Sequence, residues 1–161
     1  MTRLAIIGCG YFSAFHREAW GRLPVGVVAI CDADRAKAEA AAEAFPDARV
    51  FTDAAALLDE MRPDLVDIVT PPETHEALAA MCAARGIAAI CQKPLAPDWE
   101  TAQRIVETAE RAGGTLIVHE NFRFMPWFME ADRLLRDGAV GEPLDISFRL
   151  RSGDGQGADA Y

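Results

Sequence analysis

Residues 4–13 read LAIIGCGYFS and residues 27–34 read VVAICDAD, so each of two short apolar runs ends in residues suited to a sharp turn or a polar contact. Gly8 permits a tight turn directly after the first run, and Gly10 lets the backbone approach a bound group closely. A helix that opens near Phe12 presents N–H groups without helical partners, and such groups bind phosphate. The pattern predicts a strand, a glycine turn and a helix that hold the pyrophosphate of a dinucleotide.

Two further residues complete this pattern. Ser13 stands where a third glycine is usual, and a small residue there still allows the helix to pack close to the strand. Asp32 lies 24 positions beyond Gly8, near the usual interval of about 20, where a carboxylate accepts hydrogen bonds from ribose hydroxyls. The alternative for Asp32 is a cap on the helix that starts near Asp34. Because a carboxylate repels a 2′-phosphate, we expect NAD as the cofactor, and Arg35 keeps NADP as the alternative.

Strand-length apolar runs alternate with segments of helical period through most of the chain. This alternation indicates βαβ units, and hence an α/β fold with a doubly wound parallel sheet of Rossmann type and helices on both of its faces. The predicted strands are residues 4–7, 27–31, 49–51, 65–70, 87–91 and 115–119.

Capping residues mark the predicted helices. Asp53 and Asp98 are suited to start helices, and Gly86 and the pair at 113–114 are suited to end them. The helix after Asp98 carries apolar residues at positions i, i+3, i+4 and i+7, which predicts a stripe that faces the sheet. The members of this stripe are Ala102, Ile105, Val106 and Ala109.

The sequence changes in character after His119. Residues 121–127 are rich in aromatic side chains, a helix is expected over 126–137, and residues 144–151 alternate strictly between apolar and polar. Such alternation predicts one strand of a half-exposed sheet. We therefore expect a dinucleotide-binding domain at 1–122, a connecting helix with the first strand of a truncated second α/β domain at 123–151, and a flexible tail at 152–161.

Composition excludes several classes of protein. A formal net charge of -9 argues against nucleic acid as a partner, because phosphate neutralisation needs clustered Lys and Arg. The apolar runs fall short of the roughly 20 residues that a membrane span needs. No apolar leader precedes the first strand, so a cytoplasmic location is expected. The four cysteines are spaced singly and are interpreted as reduced core thiols: Cys9, Cys31, Cys82 and Cys91.

Unusual residues follow the later strands as well. The fourth strand ends in Thr70-Pro71-Pro72 with His75 just beyond, the fifth in Gln92-Lys93-Pro94, and the sixth in His119-Glu120-Asn121. Ligands of open α/β sheets bind outside the carboxyl ends of the strands, so these residues are predicted to share one edge with the glycine turn.

The segments GCGYFS, AICDAD, TPPETH, CQKPLA and HENFRFMPW, in this order, resemble the Gfo/Idh/MocA family of oxidoreductases. The resemblance covers nearly the whole chain but only the front half of the family's architecture. It implies an NAD(P)-dependent dehydrogenase of CH–OH groups on a sugar, polyol or related small molecule. It also implies a homo-oligomer, whose interface lies in a larger second domain.

The same resemblance assigns a catalytic role to Lys93, because the family's Glu-Lys-Pro motif supplies a lysine beside the nicotinamide and the substrate. Here the motif reads Gln92-Lys93-Pro94, which removes a negative neighbour of the lysine, and its X-Pro bond is a candidate for the cis form. The family's later catalytic aspartate and histidine are not found, so we expect cofactor binding with little turnover by the chain alone.

The expected cofactor-binding set contains aromatic, glycine and polar positions. Tyr11 and Phe12 are expected over the cofactor, with ordinary core aromatics as the alternative, and His75 is expected either near the cofactor or as a helix cap. No metal site is expected, since the residue four beyond His119 is Arg123. The full set is Gly8, Gly10, Tyr11, Phe12, Ser13, Asp32, Thr70, Pro71, Pro72, His75, Gln92, Lys93 and Asn121.

Three other functions compete with this interpretation. A noncatalytic dinucleotide-binding or sensing module shares every feature of the glycine turn. A methyltransferase also uses such a turn and an acid, but it does not account for Gln92-Lys93-Pro94. A short-chain dehydrogenase is disfavoured, because no Tyr-x-x-x-Lys pair is present.

Overall fold

Six parallel strands form one sheet in the computed structural model, which describes residues 1–149. Their order across the sheet is β3-β2-β1-β4-β5-β6, which confirms the doubly wound α/β fold of Rossmann type. The strands are β1 (Thr2–Ile7), β2 (Val25–Cys31), β3 (Arg49–Phe51), β4 (Leu65–Ile68), β5 (Ala88–Gln92) and β6 (Leu116–His119).

The chain begins in the middle of this sheet and reverses its direction of travel once. From β1 it proceeds to β2 and β3 on one side, and it then returns to place β4 on the other side of β1. The reversal opens a crevice between the loops that follow β1 and β4, which is where ligands bind in folds of this type.

The central strands of the sheet are buried on both faces. Ala5 and Ile7 of β1 pack into one core cluster, and Leu4 and Ile6 pack into the other. Successive side chains of a strand point to opposite faces, so continuous apolar strands are what a sheet covered on both sides requires.

Five helices connect the strands, and their capping residues explain most of their limits. The side chains of Asp34, Asp53 and Asp98 accept backbone N–H bonds at the starts of α2, α3 and α5. Gly86 and Gly113 follow helix ends with positive φ, as predicted. The helices are α1 (Ser13–Gly21), α2 (Arg35–Ala42), α3 (Ala54–Met61), α4 (His75–Ala83) and α5 (Trp99–Arg111).

The apolar stripe predicted for α5 is wrong at one position. Ile105 and Ala109 are buried, whereas Val106 is 40% exposed. The stripe is narrower than the sequence spacing suggested, because residues one apart on a helix are separated by about 100° and only one of them lies over the contact.

A second compact unit begins at Asn121, after a first unit of Met1–Glu120. It contains a short 3₁₀ helix (Asn121–Phe124) and α6 (Pro126–Arg136), which is followed by Gly138 with positive φ. Phe122, Phe124 and Trp127 are exposed.

The strand predicted after α6 is not formed within the described residues. Residues 144–149 carry no regular secondary structure, and Leu144 and Ile146 are exposed. A strand requires a neighbour to receive its backbone hydrogen bonds, and residues 1–149 provide none for this segment. Positions 150–151 and the predicted tail at 152–161 lie outside the described residues. In the described part of the chain, no helix is both long and apolar enough to cross a bilayer.

Candidate dinucleotide-binding site

The turn after β1 admits only glycine at its first position. Gly8 has φ +101°, and its N–H donates to the carbonyl oxygen of Cys31 over 2.8 Å. A Cβ on Gly8 would lie 2.4 Å from the carbonyl oxygen of Val69, which is inside any permitted contact. Around Gly10, by contrast, a Cβ would meet nothing within 4 Å. The first glycine therefore shapes the turn against β4, and the second leaves the backbone open to a ligand.

Asp32 joins the end of β2 to this turn. Its Oδ2 accepts a hydrogen bond from the N–H of Cys9 at 2.7 Å, and its Oδ1 accepts one from the N–H of Asp34 at 2.9 Å. The cap of α2 is Asp34 itself, which accepts from Ala36 and Lys37, so the capping alternative for Asp32 is not observed. A carboxylate has about four acceptor positions, so two remain for ribose hydroxyls.

Ser13 is buried where the third glycine is usual. It is the first residue of α1, and its Oγ donates to the carbonyl oxygen of Gly10 over 2.7 Å. This bond holds the turn against the helix start. Phe12 precedes the helix without a side-chain cap, so the dipole of the helix start is left for an anion.

Three exposed aromatic rings lie beside the glycine turn. Tyr11 is 71% exposed, and its ring meets those of Phe12 and Phe15 edge-on with centroids 5.7 Å apart. The alternative of ordinary core aromatics therefore does not hold. The Nζ of Lys93 lies 5.8 Å from the centroid of the Phe12 ring, within the range of a cation–π contact. The loops after β1 and β5 thus meet.

The loop after β4 packs against the same turn. The predicted strand ends early, at Ile68, so Thr70 belongs to the loop, and its Cγ2 lies 2.8 Å from the position of a Cβ on Gly8. Pro71 is extended, and Pro72 starts a short 3₁₀ helix that ends at Thr74. The hydroxyl of Thr74 donates to the carbonyl oxygen of Pro71 over 2.8 Å, and its oxygen lies 2.6 Å from Thr70 Oγ1, which fixes the loop.

His75 connects two of these loops from beneath. Its ring is fully buried, with Nε2 2.8 Å from the carbonyl oxygen of Thr70 and Nδ1 3.0 Å from that of Leu95. The side chain does not cap α4. Because both nitrogens face backbone carbonyls, the ring has no exposed atom for a cofactor, and its contribution is to the placement of the loops.

Gln92 belongs to a buried line of hydrogen bonds that the sequence did not predict. Its Nε2 lies 2.8 Å from Nε2 of His16, whose Nδ1 lies 2.8 Å from Oδ2 of Asp67. Trp20 donates to the same oxygen over 2.6 Å. One signal was available in the sequence: Asp67 is the only charged residue in the apolar run LVDIV at 65–69, and charged residues are rarely buried without a partner.

Lys93 follows Gln92 directly, and its N–H donates to the Oε1 of that residue over 2.7 Å. The Lys93–Pro94 peptide bond is cis. Gly8, Asp32, Thr70 and Lys93 therefore meet at the carboxyl ends of β1, β2, β4 and β5, as predicted for a shared edge. Asn121 belongs to the second unit, and its role at the cofactor stays a prediction.

His119 lies on β6 opposite Gln92. Its ring meets that of His16 edge-on, with centroids 4.6 Å apart. Burial, followed by the neighbouring His16, lowers the pKa of His119 below 6.5. Residues 1–149 contain no group of three or more His, Cys, Asp or Glu that could hold a metal ion.

The four cysteines are free thiols, and Cys31, Cys82 and Cys91 are buried. Burial is the main cause that raises the pKa of Cys91 to about 12 and that of Cys82 to about 11. For Cys9, burial and then the charge of Asp32 raise the pKa to about 12. Such thiols stay protonated at neutral pH, as expected of core residues.

The sheet is doubly wound, and its first turn contains a glycine that excludes any Cβ. An acid holds this turn, and the backbone beside it is open. Together these features define a Rossmann-type dinucleotide-binding domain. The residues present fit an adenine dinucleotide on this geometry alone. The chain belongs to the Gfo/Idh/MocA family, because the sequence model of the "Oxidoreductase family, NAD-binding Rossmann fold" matches residues 2–120.

Curated relatives extend this result. A D-apiose dehydrogenase from Paraburkholderia graminis is 46% identical over 148 residues, which cover 90% of this chain and 40% of the relative. Inositol 2-dehydrogenase 2 from Saccharopolyspora erythraea is 37% identical over 145 residues, which cover 88% of this chain and 42% of the relative. The chain thus spans less than half the length of these relatives.

Among solved structures, an oxidoreductase from Agrobacterium radiobacter, in complex with NAD+, L-tartaric acid and magnesium, has a TM-score of 0.84 and 40% sequence identity. The match covers 88% of this chain and 42% of that one. The matches that assign the fold and the family therefore both include the part of the chain that carries the glycine turn.

Proposed function

We propose that this chain is the cofactor-binding part of an NAD-dependent dehydrogenase that acts on a hydroxyl-bearing carbon of a sugar, polyol or related small molecule. The observation that carries the proposal is the meeting of the glycine turn with Lys93, seen as the 5.8 Å separation between Lys93 Nζ and the Phe12 ring. A nicotinamide dinucleotide, when bound, supplies the hydride acceptor or donor.

The binding residues divide by the part of the dinucleotide that they suit. Gly8, Gly10 and Ser13 form the turn for the pyrophosphate, and Asp32 suits the adenosine ribose. Tyr11 and Phe12 offer exposed rings against which the cofactor packs. The loop residues Thr70, Pro71 and Pro72 line the opposite side of the crevice. Gln92, Lys93 and Asn121 are assigned to the nicotinamide end.

Lys93 is proposed to act on the substrate hydroxyl. An ammonium near a developing alkoxide stabilises its negative charge, and the corresponding amine accepts the hydroxyl proton. The neighbour at 92 is an uncharged amide in this chain.

NAD is preferred over NADP in this proposal. The Asp32 carboxylate would face the additional 2′-phosphate, and repulsion of that group favours the unphosphorylated ribose. Arg35, the residue best placed to accept a 2′-phosphate in the sequence, is exposed and lies 3.4 Å from Glu39 in an ion pair.

The substrate class comes from the relatives, which are named for D-apiose and inositol. A noncatalytic dinucleotide-binding module is the second candidate, because the glycine turn held by Asp32 would serve such a module equally well. The two candidates predict the same affinity for cofactor and differ only in turnover.

Two further features of the whole protein are proposed. A homo-oligomer is supported by the exposed rings of Phe122, Phe124 and Trp127, since grouped aromatic side chains favour protein contacts. A cytoplasmic location is supported by the buried, protonated thiols of Cys31, Cys82 and Cys91, which are typical of a reducing compartment.

Calorimetry with NADH, NADPH and S-adenosylmethionine tests the cofactor. We expect NADH to bind more tightly than NADPH and S-adenosylmethionine not to bind. Absence of NADH binding would contradict the proposal, and tighter binding of NADPH would overturn the choice of NAD.

Turnover is tested in a hybrid in which this chain replaces the matched residues of the Paraburkholderia D-apiose dehydrogenase. We expect the hybrid to reduce NAD+ with D-apiose, while the chain alone binds NADH without turnover. A hybrid that folds and binds NADH but is inactive would favour the noncatalytic module.

A further inference from the structure

Two buried histidines contact the segment around Lys93 from its two ends. His16 reaches it through Gln92, the residue before the lysine, and His75 reaches it through the carbonyl oxygen of Leu95, two residues after. Both rings are at least nine-tenths buried. Neither has a role in the cofactor contacts proposed above.

On the His16 side, a line of hydrogen bonds connects the Lys93 N–H, which only donates, with the Asp67 carboxylate, which only accepts. These two ends fix the direction of every bond between them. The N–H of Lys93 can only donate, so the Gln92 atom 2.7 Å from it is the oxygen. The amide nitrogen of Gln92 then donates to Nε2 of His16, 2.8 Å away. The remaining ring proton is on Nδ1 and is donated to Oδ2 of Asp67, which accepts only.

This order explains why an amide, and not a carboxylate, suits position 92 in this chain. A glutamate accepts from the Lys93 N–H equally well, but it has no N–H to donate to Nε2 of His16. The glutamine therefore matches a neutral His16 whose proton is on Nδ1.

The line ends on a side chain that is enclosed within the sheet. Asp67 lies in the middle of the sheet on β4 and is fully buried. Its Oδ2 accepts from both His16 and Trp20, while its Oδ1 has no partner among the described residues. An ordered buried network of this kind holds its members in one arrangement.

His75 secures the other end of the segment. Its ring nitrogens lie 3.0 Å from the carbonyl oxygen of Leu95 and 2.8 Å from that of Thr70, so the ring is enclosed between the two loops. The loop after β5 is thereby connected to the loop after β4, which itself packs against Gly8.

We infer that His16 and His75 are positioning residues, which fix the backbone of Lys93 from both sides through Gln92 and through the Leu95 carbonyl. The inference rests on the proposed function for its meaning, because that function places Lys93 at the nicotinamide and the substrate. The position of the Lys93 backbone would then be determined by buried residues of the sheet and of the helices that cover it, and not by the loop after β5 alone.

The first test uses the unaltered chain. Nitrogen-15 spectra of the histidine rings should show His16 with a protonated Nδ1 and a bare Nε2. The opposite tautomer would overturn the assigned direction of the line, and this measurement depends on no variant.

The second test follows exchange of the Lys93 amide hydrogen with solvent. Gln92→Met keeps the side-chain volume and removes both bonds, so we expect exchange at Lys93 to become roughly tenfold faster, beyond any change at core amides. Gln92→Glu should restore the protection only in part, because its carboxylate still accepts from that N–H but has no N–H to donate to Nε2 of His16. Trp20→Phe is the matched control, since it removes a bond to Asp67 without interrupting the line to Lys93.

His75→Leu tests the other side and should also accelerate exchange at Lys93, with His75→Gln intermediate. In Trp20→Phe we expect exchange at the Lys93 amide to change only as much as exchange at the core amides. The same result in Gln92→Met and in His75→Leu would overturn the inference. These measurements need no cofactor. The two proposals are therefore tested separately. Unaltered exchange at Lys93 would overturn the positioning role of the histidines and would not bear on NADH binding, and absence of NADH binding would contradict the proposed function and would not bear on the exchange rates.

Discussion

The ammonium nitrogen of Lys93 lies 5.8 Å from the centre of the Phe12 ring, although the two residues belong to the loops after β5 and β1. The glycine turn is thereby connected in space with the residue proposed for proton transfer. Both residues lie at the carboxyl edge of the sheet.

The role of Lys93 is tested by Lys93→Ala in the hybrid with the Paraburkholderia dehydrogenase. We expect kcat to fall by about 10²- to 10⁴-fold, the usual contribution of a positioned acid or base, with little change in NADH affinity. Steady-state kinetics and calorimetry measure the two quantities. Lys37→Ala, at the chain's other lysine, is the control, and equal turnover in the two variants would contradict the assignment.

Asp32 and Asp34 form a matched pair for the ribose contact. Asp32→Ala should weaken NADH binding by about 10- to 100-fold, because hydrogen bonds to a charged acceptor are lost. Asp34→Ala should cost about 0.5–2 kcal/mol of unfolding free energy through the lost helix cap and leave NADH affinity nearly unchanged. Calorimetry and urea unfolding separate these effects. Similar losses of affinity in both variants would argue against ribose binding by Asp32.

The two glycines of the turn should respond differently to alanine. Gly8→Ala places a Cβ 2.4 Å from a backbone oxygen at positive φ, so we expect a loss of about 2–5 kcal/mol in stability. Gly10→Ala meets no atom within 4 Å and should fold normally yet bind NADH more weakly. Normal NADH affinity in Gly10→Ala would show that the ligand does not approach this backbone.

His119 predicts a pH dependence of stability. Burial lowers its pKa in the folded chain below the reference value of 6.5, so the unfolded chain binds more protons just below pH 6.5. Stability is therefore complete above pH 6.5 and decreases as the pH falls below it. Urea unfolding from pH 7.5 to 5.5 measures this slope, and His119→Phe should flatten it. An unchanged slope in the variant would assign the effect to another group.

Local signals in the sequence were sufficient for the strands, most helix limits and the identity of the turn residues. Aspartates at helix starts were correctly assigned at Asp53 and Asp98, because their hydrogen bonds reach only three residues along the chain. The strand predicted over 144–150 is not formed over residues 144–149 for the converse reason, and residue 150 lies outside the described part of the chain. Its alternation was visible, but a strand is stabilised by neighbours, and the described residues contain none for it.

The buried line from Asp67 through His16 to Gln92 shows what sequence reasoning could not provide. Its members come from β4, α1 and β5, and no spacing along the chain connects them. His75 was placed in the right region, but its contact with the Leu95 carbonyl depends on how two loops pack.

The amino-acid sequence alone determined the class of fold and the order of the strand ends, because strand period, capping and glycine turns are interactions between near neighbours. Only the tertiary structure decided that Asp32 holds the N–H of Cys9, that Gly8 excludes a side chain, and that two histidines contact the Lys93 segment. These are contacts between separate strands and loops, and their geometry exists only once the sheet has assembled.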